Sequence, residues 1–135
     1  MAGKMIFDPN EHSLAETHKL MIGSIVPRPI AFVSTLSKDG IENLAPFSYF
    51  NGICSKPPSI MFWPARRGYD GITKDTLNNI RDTEEFAVNI VSEDFADQMV
   101  ATATDFDPEV NEFVISGLTP EPCQEIAPPR VAEAK

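Results

Sequence analysis

Ser24-Ile25-Val26-Pro27-Arg28-Pro29-Ile30-Ala31-Phe32-Val33-Ser34-Thr35, followed by Asn43-Leu44-Ala45-Pro46-Phe47-Ser48-Tyr49-Phe50, is the stretch that decides the fold. A fixed-angle Pro-Arg-Pro leads into an apolar strand that ends in two hydroxyls. A second strand then presents an amide, small residues and another hydroxyl. Few soluble cores need so many small donors on neighbouring strands. A flat, phosphate-bearing cofactor does need them, because its ring edge and its phosphate both require short, preorganised hydrogen bonds.

Working outward from that stretch, residues 29–36 read as a strand, with Ile30, Phe32 and Ser34 on one face and Ala31, Val33 and Thr35 on the other. Ser37-Lys38-Asp39-Gly40 is a hairpin loop in which Gly40 can take positive φ. Residues 41–53 return antiparallel, with Pro46 at a bulge or an edge. After Lys56-Pro57-Pro58, residues 59–63 form a third strand, a continuous apolar run of the buried kind. Upstream, residues 1–10 are a lead-in, and Asp8 or Asn10 caps a helix over 11–21 whose modest apolar face is Leu14, Thr17-His18 and Met21. His18 sits on the flank of that face, with no carboxylate partner that would make it a base.

Downstream, residues 64–71 are a loop rich in Arg, Gly and Tyr. Thr73 or Asp75 caps a helix ending near Arg81, with Leu77 and Ile80 inward. Residues 86–91 are a fourth strand. Ser92 caps a helix over 93–102, with Phe95, Met99 and Val100 inward. Residues 105–113 read as a loop, 113–118 as a short extended piece, and the proline-bearing 119–135 as extended or meandering chain. The links between the first three strands are too short for crossover helices. The expected class is therefore mainly β with inserted helices, a barrel or sandwich rather than a doubly wound sheet. Residues 1–23 form the lead-in and helix, and 24–135 the barrel domain.

Composition narrows the function. The chain has 135 residues, fits one domain, and is 42% hydrophobic, enough to bury a core. Its net charge of −9 and pI of 4.6 make nucleic acid and anionic membrane poor partners. A phosphate can still be held if cations converge locally, and Arg28, Arg66, Arg67 and Lys74 are the candidates. Cys54 and Cys123 form no C-x-x-C pair, and neither histidine is spaced with them for zinc, so no metal is expected. Two lone cysteines, no basic-then-apolar leader and no membrane-length apolar run fit a reducing cytoplasm.

These residues carry a family resemblance. Val26-Pro27-Arg28-Pro29-Ile30-Ala31, Val33-Ser34-Thr35, Gly40, residues 43–50, Pro57-Pro58, Lys74-Asp75-Thr76 with Asn79-Ile80, residues 85–90, Gly117-Leu118-Thr119 and residues 129–134 match in order and spacing. The sequence resembles the flavin reductase-like FMN-binding split-barrel family, in the branch close to flavoredoxin. The resemblance implies a split β-barrel, a homodimer, FMN bound non-covalently near the subunit interface, and flavin reduction by NADH or NADPH. The acceptor would be free flavin or a protein. Family members continue beyond the 131–134 block with further strands, so a barrel truncated at its C-terminus, or a naturally short one, is expected here.

By the same resemblance, Asn43, Ala45, Pro46, Phe47 and Ser48 line the flavin ring edge, with Phe50 and Pro29 nearby. Phe47 and Phe50 read equally well as core aromatics. Ser48, between aromatics, needs a hydrogen-bond partner that a flavin would supply. The phosphate is expected at Ser34, Thr35, Arg28 and the Lys74-Asp75-Thr76 turn, where a helix start favours an anion and Asp75 acts as the cap. Arg66, Arg67 or Tyr69 would meet the nicotinamide. The alternatives are a non-catalytic FMN-binding electron carrier or regulatory module, and a barrel interaction domain without flavin.

Overall fold

A computed structural model describes residues 7–68 and 70–135. Its centre is a three-stranded antiparallel sheet in the order β2-β1-β5, formed by Glu42–Phe47, Ala31–Leu36 and Ala87–Ile90. Residues 31–35 of β1 are all buried, because both faces of this central strand are covered. On one face Phe32 joins Leu44, Phe95, Met99, Phe113, Leu118 and Val131. On the other, Ala31 and Val33 meet Phe47, with Phe50, Phe62, Phe86 and Val88 packed around them. The alternation read from the sequence thus separates two cores. Gly40 takes φ +82 in the β1–β2 hairpin, where the amide of Gly40 donates to the Ser37 carbonyl.

Residues 41–53 do not form one strand. β2 ends at Phe47, and after Ser48-Tyr49 the chain starts β3 (Phe50–Ser55), which leaves the first sheet to pair with β4 (Pro58–Phe62). Pro46 sits in β2, an edge strand, where a missing amide is tolerated. The bulge falls instead between Gly52 and Cys54. The apolar run of β4 is not buried as expected: Ile60 and Met61 are half exposed. A continuous apolar run shows that a strand has two apolar faces, but not that both faces are covered. Only Phe62 packs inward, with its ring 5.2 Å from Phe47 and 5.3 Å from Phe86.

The helices also differ in their ends. α1 is Leu14–Ser24, capped by Ser13 in a reciprocal box with Glu16 rather than by Asp8 or Asn10. Asp8 instead accepts from the Asn10 amide in a local turn. No residue of α1 is buried, and Leu14 and Met21 face outward. α2 is Asp75–Thr83, with Lys74 at the cap position and no side-chain cap bond. Thr73 lies one residue before the cap position, its hydroxyl donating to Asn78 Oδ1, and Asp75 lies inside the helix. Ser92 precedes a 3-10 turn (Glu93–Phe95) and α3 (Ala96–Ala101), but its hydroxyl makes no capping bond. Phe95 and Met99 are buried there, whereas Val100 is exposed. Residues 112–116, which straddle the expected loop over 105–113 and extended piece over 113–118, form α4, with Asn111 accepting from the amides of Phe113 and Val114, and Gly117 closing the helix at φ +71.

The tail makes a two-residue ladder between β6 (Pro120–Glu121) and β7 (Arg130–Val131). Asn89 of β5 holds it in place. Its Nδ2 donates to the Phe32 carbonyl and to Ser34 Oγ, and its Oδ1 accepts from the Val131 amide at 2.8 Å. Ser34 Oγ in turn donates to the Pro129 carbonyl. Asn89→Ala leaves the buried Val131 amide without its acceptor and should cost about 1–3 kcal/mol for that group alone. Urea unfolding of the variant and parent measures this, and coincident curves would refute the tail-anchoring role.

Candidate functional site

Asn43 of β2 gathers four elements through one buried side chain. Its Oδ1 accepts from Thr35 Oγ1 of β1 at 3.1 Å and from Thr76 Oγ1 of α2 at 2.8 Å. Its Nδ2 donates to Glu112 Oε1 of α4 at 2.9 Å. Asn79 Nδ2 donates to Thr35 Oγ1, and the Leu44 amide to Glu112 Oε2. A carboxylate can only accept, so Glu112 requires the amino end of Asn43 to face it. The two threonines therefore meet the amide oxygen and must donate to it.

That polarity settles what the hydroxyls can offer. A hydroxyl carries one proton. In Thr35 and Thr76 it goes to Asn43, and in Ser34 to the Pro129 carbonyl. All three side chains are buried. In this arrangement their donors are taken by bonds within the fold. Phe47 is buried in the second core with Phe50 beside it. Arg28 and Ser48 do meet, at 3.4 Å from Nε to Oγ. Arg28 also donates to the carbonyls of Ile22 and Ile25 at the end of α1 and lies over the Tyr49 ring. Arg28 and Pro29 line one cleft, with Ile90 and Met99. Lys74 lines a different one.

The second cleft collects Asn43, Ala45, Pro46, Lys74, Asp75 and Thr76, six of the expected residues. It holds only about 30 Å³, space for a water-sized group. Its carboxyl groups also outnumber its cations: Arg67 and Lys74 face Asp75, Asp105 and Glu112. Arg67 Nη2 reaches Asp75 at 2.8 Å and the Phe106 carbonyl at 3.1 Å, and Lys74 Nζ reaches Asp105 at 2.6 Å. Asp75 is thus an ion-pair partner rather than a cap.

Arg67 also lines a third and larger cleft of about 750 Å³, bounded by Leu14, Trp63, Arg66, Leu77 and Arg81 among others. This volume lies within the range of about 300–1,000 Å³ that small-molecule sites occupy. Three of the five arginines of the chain converge here, and no carboxylate is among the described lining residues. A cleft lined by one sign of charge focuses its field on an anion. Trp63 is 64% exposed and supplies an uncovered aromatic surface beside them. The sequence pointed to Arg66 and Arg67 but missed Trp63, Arg81 and Glu112. Tyr69, expected with the arginines, lies outside the described residues.

Burial pushes the Glu112 carboxyl above the ordinary 4.5, and the nearby charge of Asp75 adds to this. The amide donors at its oxygens, Leu44 N and Asn43 Nδ2, pull the other way. A carboxyl held above its unfolded value binds its proton more tightly in the fold. Its contribution to stability is therefore full below about pH 4.5 and is lost as pH climbs through the raised value. Glu112→Gln removes that dependence, so the stability of the variant relative to the parent should rise as pH climbs from 4.5 through the raised value. Paired urea titrations test it, and a difference that is flat or falls with pH contradicts the assignment.

Comparison with known proteins fits this architecture. An uncharacterized protein of Aquifex aeolicus is 51% identical over 118 residues, covering 87% of this chain and 60% of that protein. The crystal structure of nitrilotriacetate monooxygenase component B from Bacillus cereus superposes with a TM-score of 0.92 at 36% identity, covering 99% of this chain and 65% of that one. Flavoredoxin of Desulfovibrio vulgaris gives a TM-score of 0.71 at 25% identity, covering 81% of this chain and 56% of that one. The chain thus spans about 60% of the length of such relatives. No helix among the described residues is long and apolar enough to cross a membrane. Residues 16–135 match the flavin reductase like domain, so the chain belongs to that family, and its mixed sheets and helices are those of the family's split barrel.

Proposed function

We propose that the protein is an FMN-dependent oxidoreductase of the flavin reductase type, moving electrons from NADH or NADPH through bound FMN to free flavin or a protein acceptor. The observation that carries this reading is the 750 Å³ cleft in which an exposed indole and three arginines stand together. A flat aromatic ring with an anionic tail needs that pairing. The arginines offer planar, permanently charged forks that match a phosphate. Leu14, Trp63 and Leu77 offer the apolar side for the ring.

In this assignment Arg66, Arg67 and Arg81 hold the phosphate. Asn43, Ala45, Pro46, Lys74, Asp75 and Thr76 line the small cleft that shares Arg67 with the large one. Phe47 and Phe50 support the β2–β3 turn by packing. FMN supplies the hydride-accepting chemistry when bound. The protein then has to bind, orient and shield, which explains why the cleft needs no paired acid and base. A homodimer belongs to the same proposal. The β3–β4 ribbon leaves Ile53, Ile60 and Met61 uncovered, an apolar face suited to a second copy.

Purified protein should be yellow and should oxidise NADH or NADPH when flavin is added. Arg66→Ala and Arg81→Ala should each weaken FMN binding by about one to two decades, the loss of one charge-assisted contact. Bound FMN without nicotinamide oxidation would identify an electron carrier instead. Colourless protein that gains no thermal stability from FMN would eliminate flavin binding, since a ligand of the native state must stabilise it.

A further inference from the structure

We propose that Glu112 is a positioning residue for the anion-binding arm of this site, acting through Asn43 and Thr76 to fix the first turn of α2 and with it Arg67. The proposal rests on the flavin reading above and deepens it. Glu112 touches no part of the large cleft itself. Its influence runs through a bonded chain.

The chain begins with a buried acid, 6% exposed, at the first position of α4. Burying a carboxylate is costly unless every oxygen is bonded. Here both are, Oε1 to Asn43 Nδ2 and Oε2 to the Leu44 amide. Packing α4 on β2 would need no charge for this, because Asn111 Nδ2 already docks on Glu42 and Phe113 fills the core. What the carboxylate adds is direction. It fixes which end of the Asn43 amide points at α2, and so makes Asn43 Oδ1 the acceptor for Thr76.

Thr76 is the second residue of α2, a helix with no side-chain cap. The 2.8 Å bond from Thr76 Oγ1 to Asn43 ties its opening turn to β2. Asp75, one residue earlier, grips Arg67 at 2.8 Å, and the Arg67 side chain is only 10% exposed. Arg67 lines both the small cleft behind and the large cleft in front. The opening turn of α2 therefore sets where the guanidinium is presented. Displacing a positioning group by about 1 Å can cost as much as a hundredfold in function. With a carboxamide at 112, one amino group must face either the Leu44 amide or Asn43. The arrangement that avoids a donor–donor clash turns Asn43 over and turns its amino end toward Thr76.

The test compares FMN with riboflavin, which has the same ring and no phosphate. A general loosening of the fold weakens both alike, whereas a misplaced Arg67 affects only the phosphate. Flavin fluorescence titrations of the parent, Glu112→Gln, Thr76→Val and the double variant give the four preferences. We expect each single variant to lower the FMN-over-riboflavin preference by about tenfold, with riboflavin affinity retained. The double variant should lose no more than either single one, because both act on one chain. Equal weakening of the two flavins, an unchanged preference, or additive losses would overturn the proposal. If Glu112→Gln does not fold, Thr76→Val alone decides by the same criterion. A parent that binds FMN and riboflavin equally removes the phosphate assignment, and one that binds neither removes the flavin reading. Either result also overturns the role of Glu112.

Discussion

The structure depends on one buried amide. Asn43 stands on an edge strand, yet its side chain bonds to the central strand, the helix after the arginine loop and the short helix after residue 111. Each partner is buried, so each bond forms in a medium where a missing one would be costly. Apolar packing alone would hold these elements close but would leave their register free to slide. A three-way polar junction does not slide, because a shift large enough to break one bond strands several polar atoms. The hydrophobic clusters on the two faces of β1 supply the driving force for collapse, and Asn43 selects one arrangement of the collapsed elements.

The same junction accounts for the bonds that the hydroxyls at the ends of the strands make within the fold. Ser34 and Thr35 lie on opposite faces of β1 and are tied to different anchors, the tail through Pro129 and Asn89, and the helices through Asn43. The strand that resembles a donor platform is in fact the place where three separate parts of the chain are fastened. The charge proposed to meet a ligand lies instead on the loop before α2 and the last turn of that helix. There Arg66 is braced by the Gly71 carbonyl and Arg67 by Asp75. Bracing matters because an arginine held in place loses less conformational entropy when an anion arrives.

Much of this was legible in the sequence, and what was not has physical causes. The alternation in β1 and the Gly40 hairpin follow from local chemistry, and the structure carries them. Thr35, Asn43 and Thr76 stood out as polar residues of one site, expected there to meet a flavin or its phosphate. Which partner each would take depended on Glu112, whose sequence neighbourhood of Asp107, Glu109 and Asn111 reads as solvated loop. α4 went unread because Val114, Ile115 and the flanking Phe113 suggested extended chain, whereas Asn111 and Gly117 bracket it as cap and stop. Arg81 was visible only as a helix end. Its place in the cleft follows from how α2 packs on β1 and β2, a tertiary fact that no local pattern encodes.

An acidic chain and the proposed anionic cofactor are no contradiction once distance is considered. The net charge of −9 is spread over the whole surface, and at physiological salt its reach is limited to about 8 Å. Three guanidinium groups and no described carboxylate line the large cleft, and one of the three, Arg67, is already paired with Asp75. Two unit charges about 4 Å apart near a protein surface interact by about 4 kcal/mol, far more than a screened charge on the opposite side contributes. Global charge therefore governs which large polyanions approach, and it disfavours nucleic acid. Recognition of a small phosphate is governed by a few side chains and by what holds them still. In this fold, what holds them still traces back from Arg67 through the start of α2 to the amide of Asn43.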